Sequence, residues 1–255
     1  MLAYTLWTDF SSLSGREGSD WLGDLYRMAE DAFRDSDDKH RLLGNLLVLE
    51  RYRNTVCQGL AERGEELSPV LLQGIGLLWD HLEGRIEPSG FQDFANGLEG
   101  CVFAHNVGTS DDAPQDFYHK FFAGRSLTGY EWLAVDWVSG LLIQLVYLAG
   151  GTVEDPDFGE IDRLDFYGVC DMINILEDAC TQLTGVPARS HLVGDCLTAL
   201  EQVHQAPLFQ QMVADVQGDL KAALSAPPDR YAALREEYRQ HTILPAGYAP
   251  RLLEY

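Results

Sequence analysis

The chain has 255 residues, 46% of them apolar, and sets 40 acidic side chains against 18 basic ones for a net charge of −22. That apolar fraction excludes a disordered chain, and the length suffices for one sizeable core, so the acidity belongs to the surface of a folded body. With so few cations and no cluster of them, nucleic-acid binding and adhesion to anionic membranes are excluded as expectations; a basic protein partner fits the charge.

The N-terminal run Met1–Asp9 has no basic stretch and only a short apolar one, so no signal peptide is expected. Residues 1–18 read as an irregular lead-in or a short strand, because Leu2 to Trp7 is the one run that hints at a period of two. Ser19 then precedes Trp21, Leu22, Leu25 and Met28 at near-helical spacing. Ser36 is placed to cap a long second helix. Leu42, Leu43, Leu46, Leu47, Leu49 and Val56 form its apolar stripe, Arg41, Glu50, Arg51 and Arg53 its wet face, and Gly64 its stop.

Ser68-Pro69 starts a third helix with a cap residue and then proline at the first helical position, and Gly84 ends it. Within it, Gly74-Ile75-Gly76 reads as a place of close helix packing. Ser89 opens a helix bearing Phe91, Phe94, Leu98, Val102 and Phe103 that stops near Asn106 and Gly108. A short helix is expected over Asp112 to Phe122.

Thr128-Gly129-Tyr130-Glu131 fits a capping box, in which a threonine hydroxyl and a glutamate three residues later satisfy each other's backbone N–H groups. The segment that follows, through Trp132, Val135, Leu142, Val146 and Leu148 to Gly150-Gly151, is apolar nearly all round. It is expected at the centre of the fold, since its longest apolar run is too short for a bilayer. A seventh helix carries Phe166, Val169, Cys170, Ile173, Leu176 and Cys180 to Gly185. Further helices are expected over Ser190–His204, Pro207–Leu224 and Pro228–His241, with residues 243–255 as an irregular strap. The sum is an all-α, single-domain bundle of about eight to ten helices around the apolar helix 128–150.

Chemistry-bearing patterns are sparse. The five cysteines, Cys57, Cys101, Cys170, Cys180 and Cys196, form no C-x-x-C pair and read as reduced thiols of a cytoplasmic protein. No two of the seven histidines stand three or four apart; Asp116/His119 and Glu201/His204 are mixed pairs three apart. Neither repeats a ligand set, so no metal and no cofactor is expected. No nucleophile elbow or phosphate loop is found, Asp80-His81 lacks the companions of a phosphohydrolase site, and no catalytic residue is assigned. Asp136, inside the apolar segment, is the one lone carboxylate that burial would force to find a partner, Arg125 being a candidate.

Residues 108–180 hold 14 acidic and three basic side chains, half the net charge in under a third of the length. Glu154, Asp155, Asp157, Phe158, Glu160, Asp162, Asp165 and Phe166 are therefore the expected partner-binding residues, with the two phenylalanines as apolar anchors inside the charge.

Leu77 to Gly84, Phe166-Tyr167-Gly168-Val169 and Leu183-Thr184-Gly185 resemble parts of the YjaG-like helical family and of all-helical immunity proteins of bacterial polymorphic toxin systems. The resemblance covers about the middle half of the chain and rests on apolar helix positions. It implies an intracellular helical protein, and the immunity group implies a protein-binding inhibitor that neutralises a toxin by direct contact. Two alternatives stand beside it: a helical enzyme built from dispersed groups such as Asp136 with His81 or His105, and a regulatory or scaffold protein.

Overall fold

A computed structural model describes residues 26, 29–107, 127–152, 161–173 and 206–244. Of these described residues 76% are helical and none is in a strand, so the all-α expectation holds. Six α-helices have defined bounds: α1 Asp38–Glu62, α2 Pro69–Leu82, α3 Gln92–Val107, α4 Gly129–Leu148, α5 Pro207–Ser225 and α6 Tyr231–Tyr238. Single 3₁₀ turns, Pro88–Gly90 and Pro228–Arg230, precede α3 and α6, and residues 167–173 are helical as well. The expected helices at 19–28, 112–122 and 190–204 lie wholly or mostly outside the described residues.

Three helix ends share one device. Gly64, Gly84 and Gly150 adopt φ of +70°, +74° and +77°, a left-handed conformation that other residues resist. The residue after each donates its N–H back across the turn: Glu65 to Leu60, Arg85 to Asp80 and Gly151 to Val146. The starts differ from expectation in detail. The cap of α1 is Asp37, one residue after Ser36, with its carboxylate taking the His40 N–H. Ser68 stands before Pro69 as expected, but its hydroxyl makes no cap bond. The capping box of α4 is complete, Thr128 and Glu131 satisfying each other's backbone.

Helix α4 is the expected core element, with 13 of its 20 residues buried. It is long and apolar enough to cross a membrane by composition, yet 72% of its apolar window is covered by the fold. It packs on α3, α2 and α1. Helix α1 shares the centre, with 16 of 25 residues buried between α5 and α6 on one side and α2 and α4 on the other. Gly74 lets α2 approach α4 closely, since a Cβ there would stand 2.6 Å from Val138 Cγ1.

The wet face expected for α1 is partly a buried polar spine. Arg41 is 0% exposed and Glu50 4%. Burial of charge is tolerable because each finds partners. Trp79 Nε1 donates to Glu50 at 2.8 Å and Arg53 pairs with the same carboxylate at 2.6 Å. Arg51 grips Asp219 of α5 through two bonds of 2.6 and 3.0 Å, and Tyr238 of α6 donates its hydroxyl to that carboxylate at 2.6 Å. Asn54 donates to the Tyr238 and His241 carbonyls, and Thr55 accepts from Ile243 N–H. The start of the expected C-terminal strap is thereby anchored, with Ile243 and Leu244 buried.

Candidate functional site

The stripe Leu133, Asp136, Trp137, Gly140, Leu141, Gln144 follows the i, i+3, i+4, i+7, i+8, i+11 spacing of one helix face. On α4 this stripe forms one wall of a cleft of about 180 Å³; Asp165, Tyr167, Gly168 and Asp171 form the other. Gly140 leaves the wall open, because a Cβ there would meet nothing within 4 Å. Gly168 does the reverse: a Cβ would overlap the Trp137 indole, so glycine brings the second wall close.

The second wall is fastened from beneath. Arg41 donates to the Leu164 and Phe33 carbonyls, pairs with Glu30, and lies 5.0 Å over the Phe166 ring. Asn45 donates to the Asp165 carbonyl at 2.9 Å and accepts from Trp137 Nε1 at 3.0 Å, so one amide ties the two walls together. Gln144 completes the tie, donating to the Asp165 carboxylate at 2.9 Å and accepting the Asp165 N–H at 3.0 Å. The free oxygen of that carboxylate accepts the Tyr167 N–H at 3.1 Å, an Asx turn that leads into the helix at 167.

Three carboxylates thus converge. Burial pushes each upward from its ordinary value. For Asp136 the Asp171 charge adds to the rise while His105 opposes it. For Asp165, Glu30 adds to the rise, whereas the Tyr167 N–H, Gln144 and Arg41 oppose it. Asp136 and Asp171 lie at the exposed mouth and have no hydrogen-bond or ion-pair partner among the described residues. Tyr167, 58% exposed, flanks the mouth and stacks on Tyr26 with ring centres 4.3 Å apart.

Of the expected partner-binding residues, Glu154, Asp155, Asp157, Phe158 and Glu160 lie outside the described residues. Asp162 is exposed beside Arg163, and Asp165 sits in the cleft. Phe166 is not a surface anchor: it is 0% exposed and packs on Phe33, because a whole aromatic side chain gains more from the core than from water. Its neighbour Tyr167 takes the exposed place. Asp136 is not sealed in the core as its apolar neighbours implied: its residue is exposed at the cleft beside Gly140, although the surrounding walls still withdraw its carboxyl partly from water. Asp171, Trp137, Tyr167 and Gln144 went unassigned in the sequence; the recurrence of Asp136, Gly140 and Gln144 every four residues on an apolar helix was the signal that marks the cleft.

The other candidates are absorbed into structure. Asp80 bonds Arg85 and Arg235, which hold its carboxyl below the ordinary value against the upward effect of burial. His81 contacts the Ile86 carbonyl at 3.0 Å and meets Phe91 edge-on. His105 stacks on Trp132 at 3.8 Å. Burial pushes the thiols of Cys101 and Cys170 up to about 11 and about 12, which keeps them protonated and unreactive. Arg125, Asp116, His119, Glu201 and His204 fall outside the described residues. Among the described residues no group of three His, Cys, Asp or Glu is arranged to hold a metal ion. Compared with family models, curated proteins and solved structures, the chain matches none.

Proposed function

We propose that the protein binds a basic protein partner by receiving one of its cationic side chains in the cleft between α4 and residues 165–171, and that it acts as an inhibitor of that partner in the manner of a toxin-neutralising immunity protein. The observation that carries this reading is the pair Asp136 and Asp171, two carboxylates at one open cleft without a neutralising cation among the described residues. A volume of about 180 Å³ suits a single side chain, being below the ~300–1,000 Å³ of pockets that enclose drug-sized ligands. Trp137 and Tyr167 offer ring surface on which a guanidinium could stack, and the net charge of −22 would speed encounter with a basic protein.

The reading is tested by affinity capture from the native lysate at low and high salt, comparing the wild type with Asp136→Asn/Asp171→Asn. A basic protein held by the wild type at low salt and lost by the variant supports it. Equal capture by both rejects the cleft as the docking point. Capture should be followed by assay of the captured protein's own activity, which an inhibitor lowers at stoichiometric ratio.

A second reading, a helical enzyme with dispersed acid and base groups, is favoured by one observation: Asp136, Asp165 and Asp171, all shifted upward, share a cleft with His105 in electrostatic reach of Asp136. Perturbed carboxylates in a cleft are the usual signature of acid–base sites. Turnover of a screened substrate that is abolished by Asp165→Asn would establish it.

A further inference from the structure

We propose that the cleft exchanges protons for the cation it docks, so that the partner is held at neutral pH and released as the medium acidifies. The inference rests on the docking reading above and adds its regulation. Its geometric basis is a cleft of about 180 Å³ lined by three carboxylates, Asp136 on the α4 wall and Asp165 and Asp171 on the other, of which Asp165 is held by Gln144 and the Tyr167 N–H. Such a group has two ways to lower its repulsion: take up protons, or bind a cation. The two compete for the same oxygens.

Among the described residues the charged and titratable surroundings are these. From α4 come Asp136 and the buried Glu131, which is committed to the capping box. From residues 161–173 come Asp162, Arg163, Asp165, Tyr167 and Asp171; Arg163 is turned toward Glu30 and Asp162, 3.7 Å from each. From α3 come His105 and Glu99, the latter accepting from Ser139. From α1 and the residues before it come Asp38, Arg41, Glu30 and Tyr26, where Asp38 accepts the Leu164 N–H and Arg41 pairs with Glu30 beside residues 164–166. None of the described cations bonds Asp136 or Asp171.

The direction follows from linkage. The carboxylates of the empty cleft hold protons to higher pH than free ones, while a docked cation favours the ionised form. Affinity is therefore full above the titration range of the empty cleft and falls below it, approaching tenfold per pH unit for each linked proton.

The test uses the full chain with Nα-acetyl-arginine methylamide as probe, at constant ionic strength between pH 5.5 and pH 8. Side-chain carboxyl carbon shifts report protonation of Asp136, Asp165 and Asp171, and the Trp137 indole N–H reports occupancy. Expected are a probe-dependent indole shift at pH 8, an affinity lower at pH 5.5 than at pH 8, and loss of the pH 8 response in Asp136→Asn/Asp171→Asn. An affinity equal at both pH values overturns the proton exchange and leaves docking intact. A carboxyl titration with no indole response at any pH overturns docking, and the exchange with it.

Discussion

Arg41 is the residue on which the cleft's second wall depends, and replacing it measures how firmly that wall is held. The guanidinium is 0% exposed and serves the Leu164 carbonyl, the Phe33 carbonyl and Glu30. Arg41→Met keeps the volume and the stem but leaves two carbonyls short of a charged donor and one carboxylate short of its partner. Breaking a buried pair from one side costs about 3–5 kcal/mol, most of it the cost of the stranded charge. Arg163 offers little relief: it stands 3.7 Å from Glu30 and is 42% exposed, where an ion pair is worth about 0–1 kcal/mol. In Arg41→Met/Glu30→Gln the stranded charge is gone, and the double variant should recover about 1–3 kcal/mol relative to the sum of the singles. Urea unfolding of the wild type, both singles and the double gives the cycle. A cost under about 1 kcal/mol for Arg41→Met, or strict additivity in the double, would refute the assignment of Arg41 as the charge-paired clasp of residues 164–166.

Three further outcomes are expected. Asp219→Ala strands Arg51 and the Tyr238 hydroxyl, which clasp α1, α5 and α6 together, and should cost about 3–5 kcal/mol in denaturant unfolding; Asp215, 4.0 Å from Arg51, is too distant to substitute. Gly76→Ala and Gly218→Ala place a methyl in open space within helices, and each should stabilise by about 0.5–1 kcal/mol in the same assay, whereas Gly74→Ala should destabilise because its Cβ would stand 2.6 Å from Val138. Asp136→Asn/Asp171→Asn should stabilise the fold at pH 7.5, since groups whose folded values are raised lower stability as pH rises through them. At these exposed positions the gain is about 0.5 kcal/mol, and the difference in urea midpoint should shrink as the pH falls into the carboxylate titration range.

The fold class was legible because helix punctuation is local. Gly64, Gly84 and Gly150, the Thr128 capping box and the apolar circumference of α4 each act within a few residues of themselves. Arg41 and Glu50 were misread for the opposite reason. A charged residue in an amphipathic pattern is assigned to water, and the partners that make burial tolerable lie far along the chain. Leu164 is 123 residues from Arg41 and Trp79 is 29 from Glu50. Phe103, assigned to the apolar stripe of α3, is 56% exposed, since a hydrophobic period marks a face without showing how far its neighbours cover it. The site was half legible. Asp136 and Asp165 stood out by charge against their surroundings, but whether a carboxylate on an apolar helix is buried or faces a cleft depends on what Gly140 leaves empty.

The treatment of acidic groups elsewhere in the fold gives the cleft its meaning. Glu50 has Trp79 and Arg53, Asp219 has Arg51 and Tyr238, Glu30 has Arg41, and Asp80 has Arg85 and Arg235. Where this chain takes a carboxylate from water it supplies a donor, even from more than 150 residues away, as for Arg51 and Asp219. Asp136 and Asp171 differ: they stand at the exposed mouth of a cleft whose walls are fixed by Asn45, Gln144 and Arg41, the Asp171 charge adds to the rise of Asp136, and neither has a hydrogen-bond or ion-pair partner among the described residues. A fold selected for stability alone gains by exchanging either for asparagine. On the proposed docking reading, such a pair at an opening with fixed walls suits a cation brought by another molecule, because rigid walls spare the ordering cost of binding and unpaired charge gives the incoming group its advantage over water.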